Sequence, residues 1–424
     1  MLRVGYLQRR NVRQAIVWAR LFGVTGVVVE AVEVDEGLGA VVASVRLRRG
    51  QRQRCGVCSR RCSFYDRGDG RRRWRALDLG TTMAFIEAEA PRVRCREHGV
   101  VVARVPWARH GSRFTREFEE QCSWMAVHLS KTTLSQLVRI AWRSVGRIIS
   151  RVVDERSTIE DRLDGLSKIG IDEVSFRKGQ RYLTVVVDHA TARVVWAAEG
   201  RDEATLERFF DLLGAKRSTA LQFVTADGAS WIGNVLERRC PQATVCMDPF
   251  HVVSWATDAL DQVRREVWNA ARRAGLTQLA RDLKGMRFAL WKNPLDLTRR
   301  QDAKLANIAR TNKPLYRAYL LKEQLREVFQ LPYAEAVALL EHWIQWARRC
   351  RLRPFVKLAR SIAEHRPAIL DAIQYGLSNA RVESVNTRIR LLTRIAFGFH
   401  SAQPLIAMVM LALGGLCPPL PGRS

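Results

Sequence analysis

The stretch Leu166–Gly200, LSKIGIDEVSFRKGQRYLTVVVDHATARVVWAAEG, holds three blocks rich in Val, Ile, Tyr and Thr, broken at 178–180 and 190–192. Blocks of this kind read as strands and breaks this short as hairpin turns, so the stretch predicts an antiparallel meander. Downstream, RDEATLERFFDLLGA (201–215) has helical periodicity and ALQFVTADGAS (220–230) is a strand ending in Asp-Gly. WIGNVLERRC (231–240) is again helical, and ATVCMDPFHV (243–252) is a further strand. The order βββαβαβ predicts an α/β domain. From Trp255 to about Tyr375 the pattern is helical, with breaks at KNP from Lys292 and NKP from Asn312.

Two acids in this domain need explaining, because carboxylates are rarely placed on buried strands without a metal or a partner. Asp172 is flanked by Ile169, Ile171 and Val174, and Asp227 ends the strand LQFVTA, with Gly228 allowing a close turn. In α/β sheets ligands collect at strand ends. Aspartates on adjacent strands can hold a divalent cation, and a third carboxylate from a packed helix would complete a two-metal site for phosphoryl transfer. Glu383 is the one acid between Ala372 and the C-terminus, set among Arg381, Arg388, Arg390 and Arg394. At helical spacing Val382, Val385, Ile389 and Leu392 form an apolar stripe, while Asn379, Glu383, Asn386 and Arg390 form a polar one. Taken alone, that helix reads as amphipathic, with a glutamate neutralising its arginines.

The N-terminal region has other signals. GVVVEAVEVDEGLGAVVASVRLR (26–48) reads as two strands turning at 35–39. A CxxC half-site at Cys55 and Cys58 and a CxxH half-site at Cys95 and His98 flank RRRWRALDLGTTMAFIEAEAPRV, a candidate hairpin. Two knuckles of this type can close a tetrahedral Zn²⁺ site, with Cys62 as a competing ligand. From Arg113 to Glu155 two short helical runs precede a basic third, which suggests helix-turn-helix with Arg143, Ser144 and Arg147 near the start of the recognition helix. Spacing alone fits an ordinary three-helix linker as well, since the turn lacks the usual glycine.

Seventy Lys and Arg against 42 Asp and Glu give a net charge of +28, and a dozen arginines lie between Arg46 and Arg75. A polyanion, nucleic acid first, is the expected partner. No secretory signal is legible, and PLIAMVMLALGGL from Pro404 is shorter than the roughly 20 residues a bilayer span requires, so a cytoplasmic protein with no membrane role is expected. Nine cysteines at irregular spacing favour reduced thiols over a disulfide framework.

The order of these acids, with GIDEVSFRKGQRYLTVVVD, TADGASWIGNVL, CMDPFHVV, LWKNPLDLT, RAYLLKEQLREVF and NARVESVNTRIRLLTRIAFGF, resembles the DDE transposases of the bacterial IS-L-three insertion-sequence family. The resemblance covers 21–400 and leaves Met1–Arg20 outside it. It implies an RNase H-like core interrupted by a long helical insertion, and the catalytic and metal-binding triad Asp172, Asp227 and Glu383 with two Mg²⁺ or Mn²⁺ ions. Relatives commonly carry a cysteine pair where this chain has Cys95 and His98, and histidine serves zinc equally well. Asp248 is read as a partner of the ligands rather than a ligand, Asp188 as a support of the meander turn, and Asn379, Arg381, Asn386 and Arg390 as groups that orient Glu383 or touch the DNA backbone.

The expected domains are a β element (1–50), a zinc-binding segment (51–110), a helix-turn-helix domain (111–160), the first part of the core (165–255), the helical insertion (256–371) and a return segment with the catalytic glutamate and a C-terminal helix (372–415). The expected activity is metal-dependent cleavage and strand transfer at the terminal inverted repeats, joining them to target DNA, by a homodimer or higher oligomer in the bacterial nucleoid. A regulator that has lost catalysis would lack an acid, and none is missing; an RNase H-type nuclease that cleaves without joining is the other alternative.

Overall fold

The computed structural model describes residues 12–422 except Lys178. The expected β element therefore lies partly outside the described residues, over 1–11, as does Lys178 of the first meander turn. The chain divides into two compact units, one running to Asp161 and resuming at Gln403, the other Arg162–Ala402.

The first unit opens with a helix that the sequence reading did not anticipate, α1 (Val12–Leu21), where Trp18 packs on Phe22. β1 (Val27–Asp35) and β2 (Ala40–Leu47) form the expected hairpin, its turn held by the Leu38 N–H donating to Asp35 Oδ1. Beyond β3 (Ser63–Asp66) come β4 (Arg71–Leu79) and β5 (Thr82–Glu89), the hairpin expected between the knuckles. β2 pairs parallel with β5, so the sheet order is β1-β2-β5-β4, and the hairpin β1–β2 shares one sheet with strands of the expected zinc-binding segment rather than standing apart from it. The buried Trp74 and Trp107 meet edge to face in its core, 5.4 Å between centroids. β3 joins β6 (Arg92–Cys95) and β7 (Gly99–Val102) in a separate three-stranded sheet.

Three helices follow, α2 (Arg116–His128), α3 (Lys131–Leu137) and α4 (Trp142–Ile159). Thr115 and Ser130 cap the first two, each side chain accepting a backbone N–H three residues on. The turn before α4 does without glycine because Arg139 itself takes the left-handed conformation, φ 54°. Fully buried Glu119 on α2 accepts from Ser112 Oγ (2.7 Å) and Arg151 Nε (2.8 Å), tying α2 to α4. The C-terminal helix α17 (Ala402–Leu413) counts with this unit, so the expected return segment 372–415 divides at Ala402.

The second unit is built on β8 (Lys168–Arg177), β9 (Arg181–Asp188), β10 (Val194–Glu199), β11 (Phe223–Ala226) and β12 (Thr244–Met247), in the order β10-β9-β8-β11-β12. The meander is antiparallel as expected, and β8, β11 and β12 run parallel. Helices α5 (Glu203–Leu213) and α7 (Ser230–Arg239), flanking the short α6 (Ala215–Ser218), bury Phe209, Phe210, Ile232 and Val235 against Ile169, Ile171 and Val224 of the sheet. A helical body follows: α8 (Pro249–Arg273), α9 (Thr277–Gly285), α10 (Arg287–Trp291), α11 (Arg299–Thr311), α12 (Lys313–Glu327), α13 (Tyr333–Arg349), α14 (Arg353–Glu364) and α15 (Arg366–Tyr375). It has its own core, in which buried Trp343 donates from Nε1 to the Leu321 carbonyl (2.7 Å). The helix after it, α16 (Ala380–Ile395), lies on β8 so closely that a Cβ on Gly170 would sit 2.3 Å from Val382 Cγ2.

Candidate active site and zinc centre

In the first unit the turns at Cys55–Cys58 and Cys95–His98 meet. Cys58 Sγ lies 3.7 Å from Cys95 Sγ, and His98 Nδ1 lies 3.6 Å from Cys95 Sγ and 3.8 Å from Cys55 Sγ. Tetrahedral zinc with bonds of about 2.3 Å to sulfur and about 2.0 Å to nitrogen sets ligand-to-ligand edges of roughly 3.5–3.8 Å, so the donor set fits that ion. The His98 contact holds the Cys95 thiol down at about 6. Cys62, the expected competitor, stands outside the group of four and donates to the Arg60 carbonyl.

The acids of the second unit line a cleft of about 310 Å³. Asp172 reaches it from β8, Asp227 from the end of β11, Asp248 from the end of β12 and Glu383 from the first turn of α16. Asp172 accepts from the Glu173 N–H (2.7 Å) and from Asn386 Nδ2 (2.8 Å), and Asp227 accepts from the Ala229 N–H (3.0 Å). Burial pushes the Asp172 carboxyl above its ordinary range, opposed by the Glu173 N–H and His251 and reinforced by Asp227 and Asp248. Exposed Glu383 makes no ion pair with the arginines of its helix among the described residues. Buried Asp248 is engaged on both oxygens, by the Asn379 N–H (3.1 Å) and by His251 Nδ1 (2.9 Å), a contact that raises the imidazole above its ordinary value.

A family model described as a transposase matches residues 169–409, the helix-turn-helix domain of transposase family ISL3 matches 103–153, and the zinc finger of transposase IS204/IS1001/IS1096/IS1165 matches 51–98. Over 438 aligned positions, covering 98% of each chain, the protein is 52% identical to the transposase for insertion sequence element IS1557 of Mycobacterium tuberculosis. Over 399 positions it is 25% identical to the transposase for IS1001 of Bordetella parapertussis, covering 93% of this chain and 97% of that one. The chain belongs to the ISL3 family of transposases.

In this ISL3 transposase two of the residues expected to orient Glu383 or touch the DNA backbone are turned toward protein. Asn379 and Asn386 are each 1% exposed and bound to protein. Asn379 occupies the N-cap position of α16, yet its side chain turns into the sheet, donating from Nδ2 to the Ile171 carbonyl (3.3 Å) and accepting from the Thr225 hydroxyl, which His189 also meets. Together with its N–H on Asp248, this joins the start of α16 to β8, β11 and β12 and sets the register of Glu383 one turn later. Arg381 and Arg390 are exposed, and Arg390 lines the cleft. On α4, Arg143 and Arg147 are exposed and Ser144 is half-buried, all in its first two turns. Asp188 supports the meander turn, accepting from the N–H groups of Ala190 and Thr191.

Sequence reasoning missed Glu173 and Arg201, which also line the cleft. Burial, then the charge of Asp227, pushes Glu173 up to about 7. The one cue was the doublet Asp172-Glu173, since alternation on a strand should send neighbours to opposite faces. Arg201 had no cue, because its partner lies a meander away.

Proposed function

We propose that this transposase binds the terminal inverted repeats of its element and cuts and joins DNA strands, with Asp172, Asp227 and Glu383 as catalytic ligands of two divalent ions, Mg²⁺ or Mn²⁺. The observation that carries this is the convergence on one cleft of acids from two parallel strands and from a helix beyond the helical body, with Glu383 making no ion pair among the described residues. The strand order, and α16 lying on β8, support an RNase H-like core into which α8–α15 are inserted. Among the described residues, the cysteine and histidine group is the only set of three or more such residues whose ligand atoms all lie within 4.8 Å of one another. Wider spacing suits acids that flank a pair of ions about 3.5–4 Å apart.

Such ions, when bound, lower the pKa of an attacking hydroxyl and offset charge on the leaving oxygen. In the first reaction water attacks the phosphorus at the end of the element and the bond to the 3′ oxygen breaks, freeing a 3′-hydroxyl. In the second that hydroxyl attacks a target phosphate, forming one phosphodiester as another is cleaved. Asn386 orients Asp172, and Asp248 with Asn379 fixes the helix that carries Glu383. Zn²⁺ at Cys55, Cys58, Cys95 and His98 would be structural, and Arg143, Ser144 and Arg147 would read the repeat while Arg381 and Arg390 meet phosphates. Pairing two ends calls for a homodimer or larger assembly. No described helix is long and apolar enough to cross a membrane; the proposed place, the cytoplasm on the nucleoid, follows from the DNA substrate.

The test is cleavage and strand transfer on labelled DNA carrying the flanking repeats, with and without Mg²⁺, by wild type and Glu383→Gln. Joined products that require Mg²⁺ and disappear in the variant, while repeat binding persists, support the reading. Cleavage without joining would indicate a nuclease, binding without cutting a regulator, and equal activity in the variant would remove Glu383 from the reaction.

A further inference from the structure

We propose that Arg201 is a substrate-binding residue of the transposition reaction, whose guanidinium holds the non-bridging oxygens of a DNA phosphate beside the carboxylates. The inference rests on the transposase reading and adds to that site a second cationic residue besides Arg390, from a distant part of the sequence.

Arg201 is held from both directions. Its backbone lies between Gly200, at φ 132°, and Asp202, which caps α5 by accepting the Thr205 N–H at 2.8 Å. Gly200 admits no substitute, since a Cβ there would lie 2.0 Å from Thr205 Oγ1, and its carbonyl accepts from Thr184 Oγ1 at 2.9 Å. The side chain crosses the Tyr182 ring with Cζ 5.1 Å from the centroid, while Nε donates to Glu173 Oε1 at 3.2 Å. A long side chain fixed in advance loses little further freedom on meeting a ligand.

What is left unused indicates the ligand. Only Nε of the guanidinium is hydrogen-bonded; Nη1 and Nη2 make no such bond among the described residues, and the side chain is 47% exposed. Glu173, by contrast, is 7% exposed. The pair thus combines an enclosed carboxylate with a half-exposed guanidinium, both on the lining of the cleft that Asp172, Asp227 and Glu383 share. An open guanidinium edge presents paired donors that match phosphate oxygens.

The test is single-turnover cleavage of end DNA in which each phosphate flanking the cut is replaced in turn by an uncharged methylphosphonate. Arg201→Ala is expected to slow cleavage of ordinary DNA about 10²-fold or more, in the range for loss of one transition-state donor. At one flanking position the methylphosphonate should slow wild type but leave Arg201→Ala no slower. Arg201→Lys, which keeps a charge beside Glu173, should recover only part of the rate and show the same non-additivity; it serves as the reading should the alanine variant fail to fold. Additive effects at every position, or a wild-type rate in the double variant Glu173→Gln/Arg201→Ala, would reduce Arg201 to a counter-ion for Glu173 and overturn the proposal. Wild type that leaves the ends intact would instead sink the transposase reading.

Discussion

Glu173 pays for its place beside Asp172, and the sign of that cost can be worked out. Its carboxyl titrates at about 7 in the folded protein against an ordinary 4.5, raised first by burial and then by Asp227, with Arg201 only partly compensating. Below pH 4.5 both folded and unfolded chains carry the proton, so the residue is neutral to stability. Between the two values the folded state holds a proton that the unfolded state has released, and above about 7 the folded state bears the full penalty of an enclosed charge. Glu173→Gln is therefore expected to raise the melting temperature at pH 8, in buffer without added divalent ions, with the advantage shrinking toward zero as the pH approaches 4.5. A gain that grew on acidification would mean that Arg201 dominates and the folded carboxyl is depressed.

At the scale of elements, short segments position the chemistry. In the zinc knuckles proposed above, a bound ion would supply folding free energy directly. Cys58→Ala is expected to release zinc and abolish repeat binding, whereas His98→Cys should retain one zinc per chain as a four-cysteine site, both read by atomic absorption and gel shift. Full zinc in Cys58→Ala would mean that Cys62 can take its place. The packing of α16 on β8 depends on Gly170, where a methyl group would overlap Val382 and cost about 1–3 kcal/mol as overpacking. Gly170→Ala should shift Glu383 and impair cleavage with repeat binding intact, and Gly170→Ala/Val382→Ala should recover much of it in the same assay. Asp172 and Asp227 were legible because each interrupts an apolar strand, whereas Glu383 was legible only through the order of the other acids and the family resemblance, its helix alone reading as amphipathic. Asn379 was not, because an asparagine before a helix reads as a cap or a surface contact, and its tertiary bonds to residues 131 and 208 positions away leave no local trace. The meander and the order of the later strands were legible from composition and periodicity, whereas the parallel pairings of β8 with β11, β11 with β12 and β2 with β5 were not, since strands joined by a long connection carry no mark of their neighbour.

For the whole molecule, the chain's return to its first unit has a consequence that linear domain boundaries obscure. The C-terminal residues from Gln403 belong with the zinc knuckles and α2–α4, more than 240 residues earlier in sequence, and Cys417 lies within the electrostatic reach of Arg156 on α4. Leu405, Val409, Leu411 and Leu416 are fully enclosed. At about 1.5–3 kcal/mol for each buried aliphatic side chain, removing them forfeits about 6 kcal/mol or more, comparable to the whole stability of an ordinary domain. Truncation after Ala402 is therefore expected to unfold the unit that binds the repeats while the sheet carrying Asp172 and Asp227 stays folded. In gel shift the truncated chain should lose repeat binding, and in hydrogen exchange β8, β9 and β11 should keep their protection while α2 and α4 lose theirs. The opposite pattern, repeat binding intact and protection lost from the second unit, would assign α17 to the catalytic unit and make the C-terminus a part of the return that carries Glu383.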